Sequence, residues 1–592
     1  MTEHVPENPL FYKEDSATFP TRVLDIGYEF PSTSTRWAIR LWEPDPSAPP
    51  VKTPYLCLSY CWGKEPFLRT LSTNVTAHKL DIPWTSLPET FRDALDLTRR
   101  LGHRYLWIDS LCIIQDDEED WKREAQKMGD IFESAFLVIS AAKSSSAHEG
   151  MYTTGLAVQR RGQEIHVPID LSDRPRGGIG VKRVPSGIFF RPHIIHLKKS
   201  DNNFHHPYRF PTLKRGWILQ ERLLSRRILH FGPEELIWEC SRGRTCQCKP
   251  QSWGRADLNL SPRPTRYSHG HQMNNTPYGC HYLWTRVIQE YTRMNLTQEK
   301  DIFPAISGLV KRFQPKIESK YVAGLWESNL SVTLLWTADT PRLEGRRPTQ
   351  WRAPTWSWAS LKSTLITFKD PYRSSTCDIL DVVCLPAGTD PTGELVPWGS
   401  HLTIRGRLIS TTLRFEPTRV SSYFNPTRID PAVDVFSDYD TSIWLDDDYF
   451  LRWFRADGQN SPAPFPHHER PSGQHTAMEG SAGPPCQNSV VGDKVYPVYL
   501  ILFAPNSSVQ RGEKLPPTLY YFILRRLHDE EIKLVHQTEA AGGQDGTSEP
   551  YLSTNQHQYV REGLFIVRHP PQQDFPDDVV DLLGEETVVT IF

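Results

Sequence analysis

No run of apolar residues in this sequence approaches the about 20 positions that a membrane-crossing helix needs. The longest runs, such as Val495–Pro505, fall well short. The first dozen residues carry Glu3, Glu7 and two prolines, with no basic stretch leading into an apolar one, so they do not read as a secretory signal. Cysteine is scarce, ten in 592 residues, which excludes a disulfide scaffold. Several of the ten sit inside apolar stretches, as free buried thiols do. Net charge is nearly absent: 67 Lys+Arg against 70 Asp+Glu leaves −3. Without an excess of cations to neutralise phosphates, a strongly basic nucleic-acid binder is excluded. The common catalytic signatures are missing too. There is no Gly-x-x-x-x-Gly-Lys-Ser/Thr loop, no Gly-x-Gly-x-x-Gly after a strand, no Gly-x-Ser-x-Gly elbow and no His-Glu-x-x-His helix. The expectation is a reduced, cytoplasmic, soluble protein with no nucleic-acid partner and no membrane span.

What is present is enough apolar material for a core, 38% of residues, with 18 Trp and 22 Tyr. The best-patterned region lies early in the chain. Trp37–Trp42 alternates as a strand, and Tyr55–Tyr60 is a second strand running into Cys61-Trp62-Gly63. Phe91, Ala94, Leu95, Thr98 and Leu101 fall at helical spacing between Pro88 and Gly102. Tyr105–Asp109 reads as a strand. Trp121, Ala125, Met128, Ile131, Phe132 and Ala135 form a helical stripe, and Phe136–Ala142 a further strand. Alternation of strands and helices predicts an α/β unit over 37–142, with a parallel sheet covered on both faces. Residues 251–365 read as helical and Trp-rich. Residues 366–592 read as β-rich, with linkers near 455–490 and 537–550.

In a parallel α/β sheet, ligands bind beyond the carboxyl ends of the strands. Asp109 is predicted at one such end, and Ser59, Tyr60, Trp62 and Gly63 at another. They supply a carboxylate, hydroxyls, a glycine turn and an aromatic wall. Set against this, Asp109 is also a natural cap for the turn that follows, and Trp62 a packing residue. Glu124 borders the apolar stripe of its helix. A carboxylate there either acquires the raised pKa of an acid/base group or forms a buried ion pair with an arginine such as Arg99 or Arg104. Cys112 lies among apolar residues and reads as a core thiol, not a nucleophile. His230, Cys240, Cys246 and Cys248 lack the paired spacing of a structural zinc site and read as ordinary side chains, so no metal is expected.

Taken in order, several segments resemble the fungal heterokaryon-incompatibility (HET) domain. They are YLCLSYCWG (55–63), LPET (87–90) with Asp93-Ala94, and LGHRYLWIDSLCIIQDD (101–117). The likeness continues through Asp120-Trp121, Glu124-Ala125, Met128, Ile131 and Ala135 to RGWILQERLLS (215–225). Ile39-Arg40-Leu41 resembles the lead-in strand. YVAGLW (321–326), Leu335-Trp336 and APTWSWAS (353–360) resemble the downstream part of long HET proteins. Phe132 stands where the family often has Tyr. The resemblance implies a HET domain over 37–250, with its motifs at 55–142 and 215–225, after a variable segment 1–36. It implies a fold similar to Toll/interleukin-receptor (TIR) domains: a parallel α/β sheet with flanking helices, followed here by the helical middle and the β-rich C-terminal region. It implies a role in non-self recognition leading to programmed cell death, through self-association or a protein partner encoded by an incompatible allele or locus. Two enzymatic alternatives stand beside it. One is a TIR-like glycohydrolase with NAD+ as substrate and no resident cofactor, for which Glu124 and Asp109 are the catalytic candidates and Ser59, Trp62 and Gly63 the binding candidates. The other is an enzyme of specialised metabolism with a pocket walled by tryptophans.

Overall fold

The structure is a computed structural model. It describes residues 18–27, 39–45, 47, 51, 53–153, 165–168, 187–190, 210–233, 235–240, 243–246, 276–338, 347–348, 350–362, 365–368, 378–415, 426–430, 440–445, 494–503, 509–510, 513–514, 518–527, 532–533, 535, 537, 557–568 and 585–592. The linker expected at 455–490, nearly all of that at 537–550, and Cys248 lie outside the described residues. The chain divides into two compact units, Met1–Asn275 with Lys311–Phe313, and Thr276–Val310 with Gln314–Phe592.

The first unit is built on an eight-stranded sheet. Its strands are β1 (Val23–Asp25), β2 (Arg40–Trp42), β3 (Tyr55–Ser59), β4 (Tyr105–Trp107), β5 (Leu137–Ser140), β6 (Arg227–Phe231), β7 (Leu236–Cys240) and β8 (Gly243–Cys246). Their spatial order is β8-β7-β6-β5-β3-β4-β1-β2. The helices are α1 (Val75–Leu80), α2 (Glu89–Arg100), the single turn α3 (Asp109–Cys112), α4 (Glu118–Ser134) and α5 (Gly216–Leu224). Strands β4, β3, β5 and β6 are mutually parallel. The expectation of a wholly parallel sheet is corrected at both edges. β1 runs antiparallel to β4 and β2 antiparallel to β1, while β7 and β8 return antiparallel to β6. At the β6–β7–β8 edge short connections explain this, since a few residues suffice for an antiparallel hairpin whereas a parallel crossover needs a dozen or more. β1 lies in a stretch where the sequence shows no strand signal. It is only three residues long, and both its edges are filled.

The side chains of the inner strands explain their burial. All five residues of β3, all three of β4 and all four of β5 are buried, as a sheet covered on both faces requires. On α2, Phe91, Ala94, Leu95 and Thr98 turn inward; Leu101, past its end, is exposed. Asp117 caps α4 by accepting from the N–H groups of Glu119 and Asp120. Crossovers from β3 to β4 and from β4 to β5 run in opposite directions, so right-handed connections put α2 on one face and α4 on the other. α5 packs beside α4, with Trp121 and Trp217 edge to face at 6.4 Å. The reversal leaves a topological switch point between β3 and β5.

Gly63, just past β3, has φ +81°, and a Cβ there would lie 2.5 Å from the Ser146 Cβ. Gly63→Ala is expected to cost about 1–3 kcal/mol through left-handed strain and that clash. A denaturation midpoint equal to wild type would show that the turn relaxes freely.

In the second unit, α6 (Pro277–Tyr291) accompanies a cluster of tryptophans. Trp284 and Trp358 both donate their indole N–H to the Gly324 carbonyl, at 2.9 and 3.0 Å, and Trp336 donates to that of Trp356 at 2.9 Å. All four, with Trp326, are fully buried. They pack together as a core. Further on, β9 (His401–Phe415), β10 (Lys494–Phe503), β11 (Thr518–Arg526), β12 (His557–Arg568) and β13 (Glu585–Ile591) pair in succession. β13 returns to β9, so these five strands close on themselves. The strands Asp378–Val383, Pro426–Asp430 and Asp440–Leu445 pair onto this closed set.

Candidate functional site

At the carboxyl ends of β3, β5 and β6 the register places Ser59 beside Ser140, and Ser140 beside His230. Neighbours in register on parallel strands share a face, so three polar side chains stand in one row on the sheet. The helix above them is α5. It buries eight of its nine residues, and Gln220, Glu221 and Arg222 are among them. A layer that apolar side chains would ordinarily fill is therefore polar. Within it, Arg222 grips Glu239 through Nε at 3.0 Å and Nη2 at 3.3 Å, and His230 Nε2 lies 3.0 Å from the same carboxylate. The Ser59 hydroxyl lies near the Glu221 carboxyl. The Glu221 Oε2 atom and the Ser140 hydroxyl have no partner among the described residues. Burial pushes the Glu221 carboxyl up to about 7; Arg215 and the Ser59 hydroxyl oppose that rise, while the charge of Asp109 adds to it. A buried, half-satisfied carboxylate that titrates near neutrality can take up or release a proton, or hold a cationic group.

Around this layer lie the residues singled out in the sequence. Asp109 accepts from the Trp62 indole at 2.9 Å and from the Ser110 N–H at 2.7 Å. Asp109 stands first in α3, not at its cap, and its carboxylate holds the Trp62 indole. Tyr60 points to the opposite face from Ser59 and donates to the Ser110 hydroxyl at 2.8 Å. Arg215, at the start of α5, donates to the Tyr60 carbonyl. The fold therefore gathers Ser59, Trp62, Gly63 and Asp109 around the ends of β3 and β4, next to Arg215 and Glu221.

Glu124 belongs to a different cluster. It is buried on α4, where it accepts from the Thr21 hydroxyl at 2.8 Å and from Lys127 Nζ at 3.2 Å. Its neighbours are the buried Arg22–Asp120 pair at 2.5 Å and the Arg22 Nε bond to the Cys112 carbonyl at 2.8 Å. Its ionic partners are thus Lys127 and, at 3.7 Å, Arg123. Arg99 and Arg104, the partners considered from sequence, are engaged elsewhere: Arg104 binds Asp25 at 2.7 Å and Arg99 the Ile26 carbonyl at 2.6 Å. Cys112 is buried and its thiol is pushed up to about 12 by burial, which leaves it a neutral core group. Cys240 is buried as well.

Glu221, Arg215, Ser140, His230 and Glu239 were not legible as site residues. The signal for Glu221 lay in the run Gln220-Glu221-Arg222 within a nine-residue helix. Three successive polar residues span about 200° of a helix, and nothing in their periodicity says that this arc is covered.

Residues 55–221 match the family model described as Heterokaryon incompatibility protein (HET). A curated relative, "Heterokaryon incompatibility protein 6, OR allele" of Neurospora crassa, is 35% identical over 101 residues, 16% of this chain. The match spans only 15% of that relative's own length. No solved structure matches the chain at a significant level. Among the described residues no helix is long and apolar enough to cross a membrane. The matched segment begins with β3 and ends at Glu221, so it carries three of the four parallel strands, β3, β4 and β5, and α5 as far as Glu221; over these residues the chain is similar to the HET family.

Proposed function

We propose that this protein acts in heterokaryon incompatibility, with the HET domain as the module that turns encounter with a non-self partner into programmed cell death. The observation that carries this reading is the family match over 55–221, which includes the parallel strands β3, β4 and β5 and reaches Glu221 of α5. The trigger is a protein encoded by an incompatible allele or locus, or self-association of the domain. The inner strand order β4-β3-β5-β6, with its switch point, supports kinship with the TIR-like parallel fold.

A second reading has a specific observation in its favour. The unsatisfied Glu221 carboxylate near Asp109 and Arg215 suits cleavage of a glycosidic bond such as that between nicotinamide and ribose in NAD+. Cationic charge develops on the ribose as nicotinamide leaves, and an oriented carboxylate stabilises it. Glu221 joins Glu124 and Asp109 as a candidate for that role.

One experiment addresses both readings. The full chain is induced in a fungal cell, and nicotinamide release is measured on the purified protein, for wild type, Glu124→Gln and Glu221→Gln. Induction is expected to arrest growth. Harmless expression of folded protein would count against the incompatibility role. If the domain is an NAD+ glycohydrolase, one of the two variants stays folded and loses roughly 10²-fold or more in turnover, and growth arrest is lost with it. Arrest without measurable NAD+ consumption would eliminate the enzyme and leave the assembling module.

A further inference from the structure

The second unit contains a cavity of about 270 Å³ that none of the motifs above explains. It lies beside the end of α6, and Arg352 and Lys362 form its charged wall while Met294, Leu296 and Ile302 form its apolar one. Glu299 also lines the cavity. Arg352 is buried, with 7% of its surface exposed. Its guanidinium donates through Nε to the Ala359 carbonyl at 2.8 Å, through Nη2 to that of Leu361 at 2.6 Å and through Nη1 to that of Glu299 at 3.3 Å. Each of these acceptors is neutral. Among the described residues no carboxylate lies within ion-pair distance of it. A buried cation without an anion is costly. A guanidinium has five N–H groups, so two remain to be satisfied. The nearby Glu299 carboxylate is taken by Lys362, at 3.0 Å.

The other hydroxyls on the wall are already engaged. Tyr291 donates to the Ile302 carbonyl at 2.8 Å. Thr292 donates to the Ile288 carbonyl at 2.9 Å and accepts from the Ile366 N–H at 3.2 Å. What the cavity still offers is the spare N–H groups of Arg352, the ammonium of Lys362 shared with Glu299, and the hydrocarbon of Met294, Leu296 and Ile302. That combination selects a ligand with acceptor oxygens, negative charge and a short apolar body. The planar fork of an arginine matches the geometry of a carboxylate or a phosphate. The volume is close to the lower end of small-molecule sites.

We propose that this cavity binds a small organic anion, a carboxylate or phosphate monoester, with its head group on Arg352 and Lys362 and its body against Met294, Leu296 and Ile302. The site is independent of the HET domain's role, and failure of either reading leaves the other standing.

The test uses the purified full chain with butyrate and inorganic phosphate as probes and chloride at matched ionic strength as the control. At least one probe is expected to raise the melting temperature saturably beyond chloride and to show saturable binding in equilibrium dialysis. Butyrate alone identifies a carboxylate head group, phosphate alone a phosphate one, and either supports the site. Arg352→Gln also removes three bonds to backbone carbonyls, so a loss of fold there would not discriminate. Lys362→Gln does discriminate, because its side chain is partly exposed and makes none of those bonds. It should weaken binding roughly tenfold while leaving the melting temperature without probe close to wild type. Absence of saturable binding by both probes in wild type, or unchanged binding in Lys362→Gln, would overturn the proposal.

Discussion

Trp107→Ala is expected to destabilise the first unit by about 3–5 kcal/mol, among the largest losses any single truncation in it should give. Trp107 closes β4 with no exposed surface, and its ring meets Phe132 of α4 edge to face at 5.6 Å. Its indole N–H has no acceptor among the described residues, so removing the ring forfeits packing and no hydrogen bond. The cost is the lost transfer energy plus the cavity that a sheet held between two helix layers cannot collapse. Trp121→Ala should cost clearly less, because that ring is only partly buried and packs against Trp217. The check is denaturant unfolding followed by hydrogen exchange in β3, β4 and β5, which isolates this unit from the second. Equal losses in the two variants would contradict the burial difference.

Glu221→Gln should change how stability depends on pH. An unperturbed glutamate titrates near 4.5, whereas burial in the polar layer raises Glu221 to about 7. Between those values the native protein keeps a proton that the unfolded chain has released. The contribution is therefore complete below about pH 4.5, declines as pH rises, and is gone once pH passes 7. It amounts to about 3 kcal/mol, since each tenfold change in proton affinity is worth roughly 1.4 kcal/mol. Glutamine carries no charge at any pH, so the variant should lose this slope and be the more stable protein above about pH 8. Unfolding measured at pH 5, 6, 7 and 8 decides the matter. Parallel profiles for variant and wild type would show that Glu221 titrates as an ordinary carboxylate.

How far the first unit was readable follows from what each element asks of its residues. The 3.6-residue spacing of Phe91, Ala94, Leu95 and Thr98 located α2 and its buried face. The Trp121-to-Ala135 stripe located α4, though Trp121 itself is only partly buried. The apolar runs at Tyr55 and Tyr105 located the two parallel strands they became. β1 left no such trace, because three residues are too few to show a period. Nor could the direction of β2 be read, since strand direction depends on which neighbour it meets and not on its own residues.

Among site residues, those in a local motif were visible and those assembled by register were not. Asp109, Trp62 and Gly63 stand at the ends of readable strands, and their proximity follows from a parallel sheet. Glu124 borders the buried stripe of its helix, as its spacing from Trp121 and Met128 predicts. Its partners come from Thr21, far away in sequence, and from Lys127 on its own helix. Local side-chain pattern determined β3, α2, β4, α4 and β5, because periodicity and turn chemistry act over a few residues. Only the tertiary structure decided that Ser59, Ser140 and His230 share a row and that α5 covers them. That covering is what strips water from Glu221 and moves its proton affinity toward neutrality, and burial of a polar arc depends on what packs over it, which no local pattern encodes.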